Sequence, residues 1–261
     1  MQLQTLLLDI KSARVVQGVG DVAVEAIAYD SRRVERGTLF VAVPGFETDG
    51  HRFLPEALER GAAAVLVQED RRALWEPAVA GRGVAVAVAE DARRALADIA
   101  AAFHGYPARE LRVIGVTGTK GKTTTAYLTN AILEAGGAST GLLSSVEFKI
   151  GPRFTMNSAQ VTTPESLEVQ SLLAQMRDAA TEYAVVESTS HGLALHRLEH
   201  GPQRLPGVGE VDHHREGLAA VDPLHPPRHA PKGGERFRDR RQRYTLAHGD
   251  GGGRQAIVDA E

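Results

Sequence analysis

The run Gly118-Thr119-Lys120-Gly121-Lys122-Thr123-Thr124 narrows what this chain can fold into more than any other feature. An apolar stretch, Leu111 to Val116, precedes it, and a helical pattern follows. A glycine-rich turn between a buried strand and a helix lets backbone N–H groups point inward around phosphate oxygens. The helix start adds the positive end of its dipole. Lys122 brings a point charge for β- and γ-phosphates, and Thr123 a hydroxyl that suits Mg²⁺. Residues Gly118, Thr119, Lys120, Gly121, Lys122, Thr123 and Thr124 are therefore expected to bind ATP, with Lys122 acting on the transferred phosphoryl group. The spacing is a tight G-x-x-G-K-T-T, because Val116 stands where the longer form of the loop has its first glycine.

Strand-loop-helix units of this kind belong to α/β folds with parallel sheets. The rest of the first two hundred residues agrees. Gly37 to Val43, Ala63 to Val67 and Val84 to Ala89 read as buried strands, with helices expected over Leu54 to Arg60 and from Asp91 through Phe103. Tyr106-Pro107 interrupts the pattern and marks a boundary. The helix after the phosphate loop is predicted to bury Leu128, Ala131, Ile132 and Ala135, and Gly136-Gly137 ends it. A second helix is predicted to start at Thr162-Thr163-Pro164-Glu165, with a threonine cap and proline at the first helical position. Its apolar face would be Leu167, Leu172 or Leu173, Met176 and Ala179. Tyr183 to Val186 reads as a strand that delivers Glu187 at its C-terminal end, the edge where open parallel sheets bind ligands.

Composition excludes several classes. A net charge of −3 offers no pull toward nucleic acid or acidic membranes, and the absence of cysteine removes disulfides, thiolate metal sites and cysteine nucleophiles. Leu6-Leu7-Leu8, closed by Asp9 and Lys11, is too short for a signal-peptide core. A cytoplasmic monomer with no nucleic-acid or membrane partner is expected.

Four stretches together resemble the Mur ligases, which build the peptide of peptidoglycan. Val116 to Thr125 resembles their ATP loop. Asp30-Ser31-Arg32, Gly37 to Ala42 and Asp49-Gly50-His51 resemble the UDP-binding N-terminal domain, and Thr162 to Glu165 the segment that holds the muramoyl substrate. Glu187-Ser188-Thr189-Ser190-His191-Gly192-Leu193, with His196-Arg197, is similar to a block of the tripeptide-synthetase branch. The resemblance implies that Ser31 and Arg32 lie near the uridine. It implies that Thr162, Thr163, Thr189 and Arg197 contact the sugar-peptide substrate, and that Thr123 and Glu187 hold Mg²⁺. Asp30 can serve as a turn cap, and His191 as loop packing. The implied reaction is ATP-dependent ligation of a diamino acid to UDP-N-acetylmuramoyl-L-alanyl-D-glutamate through an acyl phosphate. A folylpolyglutamate synthetase-like ligase and a non-catalytic nucleotide-binding remnant are the alternatives.

The resemblance stops near His200. Of the last 61 residues, 10 are glycine and 9 arginine, while Leu, Ile, Val and Phe together number 10, about 16%. That is below the level, roughly 20%, at which a folded core becomes doubtful. A slipped reading frame would produce so abrupt a change, with a naturally divergent disordered tail as the alternative. The expected architecture is α/β. Residues 1–107 would be a UDP-binding domain, 108–200 an incomplete central ATP-binding domain, and 201–261 a tail lacking a core, leaving the chain truncated and inactive.

Overall fold

The computed structural model describes the 261-residue chain except residues 9, 19–21, 46–47, 158–162, 199–255 and 260–261. Thr162 and almost all of the predicted tail therefore lie outside the described residues. The chain divides into two units. The first comprises Met1–Tyr106 with Glu165–Ser171 and Leu195–His200, and the second Pro107–Pro164, Leu172–Ala194 and Gly201–Glu261.

The first unit contains α1 (Leu3–Leu7), β1 (Ala13–Gln17), β2 (Ala26–Ala28), β3 (Thr38–Val41), α2 (Leu54–Glu59), β4 (Ala64–Gln68), α3 (Arg72–Val79), β5 (Ala85–Ala89) and α4 (Ala92–Phe103). Its sheet runs β1-β5-β4-β3-β2. The pairs β5/β4, β4/β3 and β3/β2 are parallel, and β1 joins β5 antiparallel. The central strands are apolar at nearly every position because both faces are covered. One face packs Leu39, Val41, Leu66, Ala85 and Ala87 with Leu3 and Leu6 of α1 and Leu96 and Ile99 of α4. The alternate residues Phe40, Val65, Val67, Val86 and Val88 pack on the other face with Leu54 of α2 and Trp75 and Val79 of α3. The period of two is hidden in sequence and visible only as two clusters. Asp91 caps α4 by accepting hydrogen bonds from the Arg93 and Arg94 amides at 2.8 and 3.1 Å.

The second unit contains β6 (Arg112–Thr117), α5 (Lys122–Ala135), β7 (Thr140–Leu143), β8 (Glu147–Ile150), β9 (Arg153–Met156), the last part of α6 (Ser166–Asp178), β10 (Tyr183–Glu187), α7 (Ser190–Ala194) and β11 (Ala256–Asp259). Its sheet is ordered β11-β6-β10-β7-β8-β9. Strands β11, β6, β10 and β7 are parallel, while β8 and β9 extend the sheet as an antiparallel hairpin. Within the predicted tail, Ala256–Asp259 thus pairs with β6.

Two predicted details require correction. Leu128, Ala131, Ile132 and Ala135 are exposed rather than buried, and the buried positions of α5 are Ala126 and Asn130. Helical spacing identifies an apolar stripe but not the direction in which it points. The second helix begins at Ser166, later than predicted. The Glu165 carbonyl accepts the Val169 amide at 3.0 Å, so the helical bonds start after the proline. Its buried positions include Val169, Leu173 and Met176, whereas Ala179 is exposed. Among the described residues, no helix is long and apolar enough to cross a membrane.

Candidate functional site

In the second unit, chain order and sheet order differ in a way that builds a site. β6 leads through α5 to β7, but β10 inserts between those two strands. The C-terminal ends of β6, β10 and β7 thus lie side by side, the position at which open parallel sheets bind ligands. β6 ends in the glycine loop, β10 ends in Glu187, and Ser144-Ser145 follows β7.

The loop has the backbone its glycines permit. Gly118 has φ +152° and Gly121, at the N-cap of α5, φ +75°, values that L side chains rarely adopt. The first intrahelical bond runs from the Thr125 amide to the Gly121 carbonyl at 2.9 Å. The amides of Lys122, Thr123 and Thr124 precede that bond, so the geometry leaves them to an anion. Lys122 Nζ donates to the Gly118 carbonyl at 3.0 Å. Thr119, Lys120 and Thr124 are exposed along the loop.

Glu187 is 2% exposed and accepts three hydrogen bonds. Thr123 Oγ1 donates to Oε1 at 3.0 Å, while the Ser145 amide and hydroxyl donate to Oε2 at 2.9 and 3.1 Å. Thr123 and Ser145 hydroxyls are themselves 3.1 Å apart. Two hydroxyls and one carboxylate form a hard oxygen set of the kind that Mg²⁺ shares with waters and phosphates. Ser145 was not singled out from sequence. Its place comes from the β7/β10 pairing, although a serine pair ending an apolar strand was the available cue.

Thr163 and Thr189 are linked in the same unit. The Thr189 amide donates to Thr163 Oγ1 at 3.2 Å, and Thr189 Oγ1 accepts the Gly192 amide at 2.9 Å, capping α7. A Cβ on Gly192 would come within 2.9 to 3.0 Å of the Thr163 side chain, so this approach requires glycine. His191 is exposed on α7.

The first unit holds the other predicted residues. Asp30 caps the turn Ser31–Arg33 through the Arg32 amide. It also receives the exposed Arg32 guanidinium, with Nη2 to Oδ2 at 2.8 Å, and this pairing keeps the Asp30 carboxyl below its ordinary range. Ser31 is buried and donates to Glu56 at 2.9 Å. His51 is 1% exposed. Its Nδ1 meets Asp49 at 2.6 Å, and its Nε2 lies 2.9 Å from the Gln68 amide. An amide can only donate, so Nε2 accepts and Nδ1 carries the proton. Burial pushes the His51 pKa below 6.5 despite the Asp49 carboxylate. Burial favours the neutral acid of Asp49, but hydrogen bonds from the His51 amide and ring outweigh it and hold this carboxyl low. Arg197 pairs with Glu165 at 2.6 Å. Among the described residues, no three His, Cys, Asp or Glu side chains cluster as a metal site.

Comparison with known proteins gives this arrangement a family. The Mur ligase middle domain matches residues 116–202, and the domain described as "Mur ligase family, catalytic domain" matches 23–104. The UDP-N-acetylmuramyl-tripeptide synthetase of Roseiflexus sp. (strain RS-1) is 52% identical over 171 residues, covering 66% of this chain and 32% of the relative. The UDP-N-acetylmuramoyl-L-alanyl-D-glutamate--2,6-diaminopimelate ligase of Clostridium perfringens (strain 13 / Type A) is 38% identical over 198 residues, covering 76% and 39%. A solved structure of a ligase of that same name superposes with a TM-score of 0.59 at 24% identity, over 77% of this chain and 38% of that one, which speaks for the fold. The chain spans about a third to two fifths of the length of these relatives. Over two matched segments it therefore belongs to the Mur ligase family, whose N-terminal and middle domains it carries.

Proposed function

We propose that this chain binds ATP with Mg²⁺ and a UDP-N-acetylmuramoyl dipeptide, as the first part of a ligase that adds a diamino acid to the dipeptide. The observation that carries the reading is the convergence of the Gly118–Thr124 loop, Ser145 and buried Glu187 at three adjacent strand ends. The loop amides and Lys122 suit the phosphates, and Thr123, Ser145 and Glu187 suit the cation. When bound, Mg²⁺ would offset the negative charge of the phosphate oxygens. Ser31 and Arg32 are assigned to the uridine end, and Thr162, Thr163, Thr189 and Arg197 to the muramoyl peptide. In the reaction, a substrate carboxylate oxygen attacks the γ-phosphorus and ADP leaves. The amine of the diamino acid then attacks the acyl phosphate, forming the amide and releasing phosphate. The protein supplies position and charge neutralisation.

We further propose that the 261-residue chain alone binds without completing ligation. The resemblance assigns the remaining charged groups and the diamino-acid site to segments for which the sequence after His200 offers no recognisable motif. The folylpolyglutamate synthetase reading is not favoured, because the relatives found are named as muramoyl-peptide ligases.

Calorimetric titration of ATP with Mg²⁺ tests the phosphate loop. Lys122→Ala is expected to weaken binding by about 10- to 100-fold, the worth of one hydrogen bond to a charged group. Equal affinity in both proteins would remove the loop from the site. Incubation with ATP, Mg²⁺, the UDP-muramoyl dipeptide and diaminopimelate or lysine, read by mass, is expected to give no tripeptide. Tripeptide formation would overturn the binding-only proposal.

A further inference from the structure

Arg93, Glu165 and Arg197, all in the first unit, form a chain of charge contacts fixed at one end to the backbone. Arg93 lies in the capped first turn of α4. Its Nη2 donates to the Pro44 carbonyl at 2.9 Å, and its Nη1 faces both Glu165 oxygens at 3.4 and 3.5 Å. On the far side, Arg197 Nη2 reaches Glu165 Oε1 at 2.6 Å. The three side chains are only 16 to 17% exposed. Pairs this far from solvent are screened less than surface pairs, and their geometry is correspondingly better defined.

We infer that Glu165 and Arg93 are positioning residues that aim Arg197 at the substrate. This inference rests on the proposed role of Arg197 in holding the muramoyl peptide. An arginine reaching a ligand must fix several side-chain torsions on binding. Contact with Glu165 fixes them beforehand, and Arg93, tied to Pro44, keeps the carboxylate from following the ligand. The Arg197 guanidinium brings five N–H donors and a fixed positive charge to a carboxylate or phosphate of the substrate, while the contact with Glu165 sets its direction. Glu165 acts through Arg197 and is not itself a catalytic residue.

The test is a double-mutant cycle read by calorimetric titration of UDP-N-acetylmuramoyl-L-alanyl-D-glutamate, with UDP alone as the second probe. Arg197→Ala is expected to weaken the dipeptide ligand by about 10- to 100-fold. Glu165→Gln, which keeps the shape and removes the charge, is expected to weaken it by about 3- to 10-fold. In the Arg197→Ala background the Glu165→Gln effect should vanish, a coupling that a merely structural role would not produce. UDP affinity should stay unchanged in every variant. Loss at Arg197→Ala with unchanged or tighter binding in Glu165→Gln overturns the inference and leaves the reading of Arg197 standing. No effect of Arg197→Ala, or no binding by the parent chain, overturns that reading and the inference together.

Discussion

The two units are built from the same alternation of strands and helices, yet they finish it differently. In the first, α1 and α4 cover one face of the sheet and α2 and α3 the other, so Phe40, Leu39 and Leu66 are entirely buried. In the second, α5 lays Ala126 and Asn130 inward and leaves Leu128 at 59% and Ile132 at 71% exposure. Polar groups fill the positions that matter there: Glu187 and Ser144 are buried at the C-terminal strand ends. A sheet sealed on both faces draws its stability from apolar packing. A sheet whose strand ends carry a site gives part of that packing to hydrogen-bonded polar groups.

Three measurements sharpen or break this comparison. Phe40→Ala should destabilise the first unit by about 3–5 kcal/mol, the usual cost of emptying an aromatic position in a closed core. Urea unfolding followed by Trp75, the single tryptophan, reads that unit directly. A smaller effect would mean that its core is not sealed. The second measurement is pH dependence. The His51 pKa lies below 6.5 when folded, so below that pH the unfolded chain takes up a proton that the native ring refuses. Stability of the first unit should therefore fall as pH drops from 6.5 toward the folded value, and Asp49 should extend the loss below 3.8. Glu168, raised by burial, works in the opposite sense, since its contribution is lost as pH rises above 4.5. A Trp75-detected stability that stays flat as pH falls below 6.5 would show that His51 is not held neutral. The smallest effect is expected at Ile132→Ser, within about 0.5 kcal/mol by calorimetric unfolding. A cost near that of Phe40→Ala would show the stripe on α5 to be covered.

Legibility in the sequence followed the range of the interactions. The phosphate loop could be read because its residues are consecutive and glycine alone supplies its backbone. Glu187 could be read because it ends an apolar strand. Ser145 could not, since the bond that gives it meaning spans 42 residues and depends on which strands become neighbours. The β8–β9 hairpin was missed although Arg153-Phe154-Thr155-Met156 alternates polar and apolar residues, because a four-residue run is too short to stand out as a strand and all four residues are exposed. The stripe on α5 was found and assigned to the wrong side, because periodicity has no sign. Glu165 reads from sequence as part of a helix start, whereas its charge faces two arginines from distant parts of the chain.

The environment of His51 sets what that side chain can never do. One ring nitrogen spends its proton on Asp49 and the other spends its lone pair on the Gln68 amide. Nothing is left over to take up a proton from a substrate, to ligate a cation or to react with an acylating reagent. In nitrogen-15 spectra the ring should show one bare and one protonated site in slow exchange with solvent. A histidine inside a recognisable motif invites a chemical role, and this one is a fastener that joins the turn at Asp49 to the end of β4.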